Sequence, residues 1–103
     1  MPKYADTSLY TCEENALWAL LIKNQGKIFY TAKGLPFGYQ IVGNEMFVDR
    51  KEKSITRSSV NASYRKAKTL MATFGRVAGP KELGTFGASY LFPVFLELSL
   101  IQT

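Results

Sequence analysis

The chain has 103 residues, enough for one domain with its own core, and its 47% apolar content is that of an ordinary globular protein. It contains no histidine and one cysteine, Cys12, which excludes Ser-His-Asp and Cys-His catalysis, His- or Cys-based zinc sites, and any disulfide within the chain. The net charge is +5, no apolar run reaches bilayer length, and MPKYADTSLY lacks a basic stretch followed by an apolar one, so no membrane partner and no secretory signal are expected and the cytoplasm is the expected compartment.

The first element is a helix opened by Thr11 and Glu14, which stand at capping-box spacing, with Glu13 and Glu14 favoured by the dipole of the first turn. Ala16, Leu17, Leu20 and Leu21 make an apolar face, widened by Trp18 and Ile22, and Gly26 stops it. Residues 1–8 are expected to lie outside the folded part of a domain that otherwise takes in residues 1–103. Cys12 falls at the start of this helix and is expected to be a small buried thiol, since Glu13 and Glu14 oppose its ionisation.

Strands follow. Lys27–Lys33 is rich in β-branched and aromatic residues and reads as a strand, broken by Gly34-Leu35-Pro36. Gly38–Val42 and Glu45–Asp49 flank Gly43-Asn44, a two-residue hairpin signal. Whether the first strand pairs with that hairpin is left open by the sequence.

A second helix starts near Thr56 or Ser58 and runs to Phe74, with Val60, Tyr64, Ala67, Met71 and Phe74 in one buried seam and Gly75 as its stop. The stretch Gly75–Ala88 holds four of the eight glycines and reads as a loop with one turn at Pro80–Leu83. Ser89–Ile101 reads as a third helix, capped by Ser89, with Pro93 in or near its first turn and apolar residues on most sides. The expected fold is therefore α+β: one N-terminal helix, a two- or three-stranded antiparallel sheet, then two C-terminal helices joined by a glycine-rich loop.

Charge is the most uneven property of the chain. The segment Arg50–Thr69 carries seven of the thirteen bases (Arg50, Lys51, Lys53, Arg57, Arg65, Lys66, Lys68) and one acid, Glu52, so it sums to +6 while the rest sums to −1. With Val60 at the origin of a helical wheel, Arg57, Lys68, Asn61 and Arg65 fall at about 60°, 80°, 100° and 140°, one flank beside the buried seam. Lys66 points elsewhere. Arg and Asn are the side chains that pair with guanine and adenine edges, and Lys and Arg grip phosphates. A solvated helix more often interleaves acids at i,i+4, and this one has none.

These residues lead to a small basic nucleic-acid-binding protein, with duplex DNA favoured over RNA because an exposed helix suits a major groove. Arg57, Asn61, Arg65 and Lys68 are the expected base or phosphate contacts, and Lys51 and Lys53 the phosphate contacts. The alternative is a non-enzymatic interaction module, binding an acidic protein through the same face or a second copy through the apolar third helix. Among the aromatic residues, Tyr39, Phe47, Phe86 and Phe92 would stack bases if exposed. No cofactor, metal ligand set or catalytic residue is assigned. The loop Gly75–Gly87 has neither a P-loop pattern nor a dinucleotide fingerprint after a strand.

One pattern in the chain is enzymatic in character. Asp49-Arg50-Lys51 after EMFV resembles half of the metal-dependent nuclease signature of restriction-enzyme-type folds, which also run helix, strands, helix and place a Glu where Glu14 stands. That resemblance covers residues 13–70 at most and implies a carboxylate-held Mg²⁺ with a lysine steadying water. It departs from the pattern at its centre: Gly38–Val42 carries no acid, and Glu45 is on the hairpin rather than at a matching strand end.

Overall fold

The computed structural model describes the backbone of residues 4–103 and the side chains of residues 14–103. The fold is α+β, in the order helix, two small antiparallel sheets, helix, short 3-10 turn, helix.

Helix α1 spans Tyr4–Lys23. It begins before Thr11, so the capping box does not mark its start, and residues 4–8 belong to it. The Thr11 and Cys12 side chains lie outside the described residues. Leu17, Trp18 and Leu21 are buried, as their spacing requires, whereas Ile22 is 43% exposed. The exit of α1 is held by Asn24, whose Nδ2 donates to Leu20 O at 2.8 Å. Gly26 then adopts a φ of 87°, a left-handed turn that glycine takes without steric cost.

The first sheet pairs β1 (Phe29–Tyr30) with β2 (Pro36–Phe37). The expected strand over 27–33 shrinks to two residues because a turn begins at Thr31. The Thr31 hydroxyl accepts the Leu35 N–H at 3.1 Å, and Gly34 takes a φ of 85°. Pro36 does not end the strand region but opens β2, at a sheet edge where its missing N–H goes unused. This pair is a separate sheet, so the first strand does not join the hairpin.

The second sheet has the order β3 (Tyr39–Val42), β4 (Glu45–Val48), β5 (Ile55–Thr56). Gly43 and Asn44 form the two-residue turn, with Val42 opposite Glu45 and Gly43 at a φ of 61°. The edge of β3 is closed from within the chain. Tyr39 O accepts the Gly26 N–H at 3.2 Å, and the Ile41 N–H donates to Gln25 Oε1 at 2.8 Å. Strand β5 was not expected; two residues are too short for an alternation to show.

Helix α2 spans Arg57–Phe74. Thr56 is its N-cap, with a hydroxyl that accepts the Ser59 N–H, and Gly75 closes it in the left-handed region with its N–H on Met71 O. The buried face is Val60, Ser63 and Ala67, and Tyr64 and Met71 are half-buried beside it. Phe74, expected in the seam, is instead 69% exposed. It is the last helical residue, and the chain reverses at Gly75 before anything covers it. The buried Ser63 hydroxyl is satisfied by the Thr85 hydroxyl.

The 3-10 turn Pro80–Leu83 appears where the Pro-initiated turn was expected. Helix α3 spans Ala88–Glu97 rather than 89–101; its N-cap is Gly87, not Ser89, and Pro93 lies inside it, beyond the first turn. Leu91, Phe92, Pro93, Val94 and Phe95 are all buried. Ser99 turns the chain at a φ of 62°, and the tail runs back so that Val77 N–H donates to Gln102 O at 2.8 Å. One buried cluster draws on every element, with Phe29, Phe37 and Tyr39 stacked or tilted at 5.7 to 5.9 Å and Tyr90 edge-on to Phe37 at 5.1 Å. The Tyr39 hydroxyl donates to Leu21 O at 2.7 Å, and burial pushes its phenol well above the ordinary value.

Candidate nucleic-acid interface

The six residues singled out by charge and spacing all lie on β5's approach loop or on α2. The structure divides them into groups with different surroundings.

Arg57, the first residue of α2, is bound on three sides. Its backbone N–H donates to Asn44 O at 2.8 Å, fixing the helix start to the β3–β4 turn. Its guanidinium donates to Asn44 Oδ1 at 3.4 Å and to Asn15 Oδ1 at 3.2 Å, and lies 5.3 Å from the centre of the Trp18 ring. The flank that the helical wheel left open to solvent is therefore met by α1. Asn61 follows one turn later. Its Oδ1 is buried, and no described residue donates to it.

Arg65 forms an ion pair with Glu14 of α1. Both partners keep contact with water, the Arg65 side chain at 60% exposure, so this pair is screened. Lys68 stands beside it with its ammonium 5.6 Å from the Tyr64 ring centre. Glu14, Tyr64, Arg65, Lys68, Met71 and Leu100 line an open groove of about 760 Å³ that combines two bases and one acid with apolar side chains. Tyr64 is itself braced edge-on by Phe95 at 5.8 Å.

Lys51 and Lys53 sit in the loop between β4 and β5. Lys53 is exposed, while Lys51 places its ammonium 3.7 Å from the centre of the Phe86 ring. Lys66 is exposed on the other side of α2. Among the described residues none of Lys51, Lys53 and Lys66 forms an ion pair. Near the helix start, Ser54 donates to Glu45, and Thr56 and Ser59 bond each other at 3.3 Å.

The aromatic residues divide too. Tyr39 and Phe92 are core residues, whereas Phe47 and Phe86 are 44% and 49% exposed. Two contacts escaped the sequence: that of Glu14, which reads as a helix-capping acid, with Arg65, and that of Phe86, which no spacing rule brings to Lys51. The order of the elements carries no signal for either contact.

The carboxylates of the nuclease pattern do not converge. Asp49 Oδ2 accepts the Gly38 N–H at 3.0 Å, Glu14 is paired with Arg65, and Glu45 accepts from Ser54. Among the described residues no group of three or more Asp, Glu, Cys or His side chains is placed to hold a metal ion. No described helix is long and apolar enough to cross a membrane. No protein-family model matches the chain, and neither a curated protein nor a solved structure does.

Proposed function

We propose that this protein binds nucleic acid through the cations of residues 50–69, chiefly by contact with phosphates. The observation that carries the reading is the excess of positive charge within that segment. It sums to +6, α2 contains four bases and no acid, and Lys51, Lys53 and Lys66 face no described carboxylate. Packing alone gives no reason to collect like charges on one helix, where each neighbouring pair is mildly repulsive. A polyanion relieves that repulsion and gains the entropy of its released counterions.

The assignment of base-edge contacts is narrowed. Arg57 is engaged by Asn15, Asn44 and Trp18, so it cannot enter a DNA groove without leaving α1, and the buried Asn61 Oδ1 is not presented to a base edge. Lys51, Lys53, Arg65 and Lys68 carry the proposal, with Lys66 added. The test is affinity for labelled oligonucleotides as a function of salt. The logarithm of the binding constant should fall linearly with that of salt, by about 0.7 to 0.9 per phosphate engaged. Absence of binding at low ionic strength rules the reading out.

A second reading, a protein-interaction module, is favoured by a different region. Ile28 and Phe47, both exposed, flank an open groove of about 540 Å³ beside the hairpin, and Val42, 65% exposed, lies on the same sheet face as Phe47. The apolar third helix no longer argues for a dimer, because its large side chains are buried within one copy. Sedimentation at low micromolar concentration tests self-association, and a strict monomer rejects the homodimer.

A further inference from the structure

We infer that the nucleic acid this surface takes is single-stranded, with an unpaired base stacked on Phe86 and its phosphates on the neighbouring lysines. The inference rests on the nucleic-acid reading above and names its substrate class.

Phe86 is held at the surface by its neighbours. It lies between Gly84 and Gly87, both in the left-handed region, at φ values of 63° and 85°. Leu83 before them and Leu91 after them are buried, so the loop is pinned at both ends. Gly87 is also fixed sterically: a Cβ there would stand 2.4 Å from Ile55 Cδ1, a side chain with no exposure of its own. The ring is thus presented by a constrained loop, not left on a loose one. A single exposed Phe is ordinary in itself. This one meets the cationic segment, with Lys51 Nζ 3.7 Å from its centre and Lys53 two residues further along the same loop.

A second ring, half-buried on α2, also stands beside cations. Tyr64 borders the 760 Å³ groove with Lys68 over its face and Arg65 also in the lining. Rings interleaved with cations suit a strand whose bases are free, because each base offers a π-face and each linkage a phosphate. A duplex offers phosphates but keeps its π-faces stacked inside. Its other means of recognition, base edges read by a helix in the major groove, needs Arg57, which α1 engages, and Asn61, whose Oδ1 is buried. The observations therefore favour stacking over groove insertion.

Fluorescence anisotropy at low salt, with an oligodeoxyuridylate, an oligouridylate and a mixed-sequence duplex of equal length, tests this. Tight binding of either single strand, about tenfold or more above the duplex, supports the inference, and the better of the two names the sugar. Phe86→Leu, which keeps apolar bulk but removes the ring, should weaken single-strand binding roughly tenfold with no change in the salt slope. An oligomer of abasic sugars keeps the phosphates and removes the bases; wild-type protein and F86L should bind it equally. A duplex bound as tightly as the single strands, or an F86L protein with unchanged single-strand affinity and intact circular dichroism, overturns the inference and leaves the nucleic-acid reading standing. No binding to any of the oligonucleotides defeats both.

Discussion

Arg57 and Arg65 stand two turns apart on the same flank of one helix, yet the fold uses them differently. Arg57 ties α1, the β3–β4 turn and the start of α2 together through two side-chain amides and an indole face. Among the described residues the Arg65 side chain has one partner, a carboxylate that shares it with water. The first is part of the scaffold, and the second is a surface charge that an anion can reach by displacing Glu14. Identical chemistry at similar wheel positions acquires its role from what lies opposite, and that is supplied by α1, some forty residues earlier in the chain.

The firmest reference for this contrast is the packed side of the molecule, where no charge intervenes. Gly87→Ala should destabilise by about 3 kcal/mol, combining a left-handed backbone that a Cβ resists with a clash against the immobile Ile55. Urea denaturation measures it; an unchanged midpoint would mean that Ile55 can move aside and that the loop presenting Phe86 is not constrained.

The contrast itself is tested by the two arginines. Arg57→Ala should cost about 1 to 2 kcal/mol of stability, since it strands two amides and uncovers an indole. Arg65→Ala should cost under about 0.5 kcal/mol, as an exposed pair does. Oligonucleotide affinity should show the opposite ranking per unit of stability lost, with Arg65→Ala lowering the salt slope by roughly one phosphate's worth. Equal stability losses would erase the distinction between scaffold and surface.

Titration sharpens the packed side. Tyr39 holds its proton more tightly folded than unfolded, because burial disfavours the phenolate. Its contribution is complete below the unfolded value of 10.0 and is lost as pH rises above that value toward the folded one. Tyr39→Phe should cost about 1 kcal/mol at neutral pH, from the bond to Leu21 O, and should flatten the decline in stability above pH 10. A Y39F protein with the wild-type alkaline decline would assign that decline to other groups.

Much of this architecture was legible along the chain. Local rules put the start of α2 near Thr56 or Ser58, of which Thr56 is the cap, and its stop at Gly75, and they placed the Gly43-Asn44 hairpin and the Pro80–Leu83 turn. Each depends on a few neighbouring residues whose backbone preferences agree. Where the reading failed, a nonlocal partner or an element too short to show a period was involved. Residues 27–33 have strand character, but the Thr31 turn leaves only two of them to pair. The capping box at Thr11 was a good local signal overridden by a helix that starts at Tyr4. Phe74 kept the right phase but outran the core that its phase pointed to.

The candidate site shows the same division. Composition and spacing alone determined that positive charge gathers between residues 50 and 69, on a helix without acids, because charge is a sum over residues and needs no coordinates. Only the tertiary structure decided which of those charges are spoken for, since α1 brings Glu14, Asn15 and Trp18 against the flank and the glycine-rich loop brings Phe86 under Lys51. Those contacts join residues between 35 and 51 positions apart. At such separations they are set by how the elements pack around the shared core, which no local pattern in the sequence encodes.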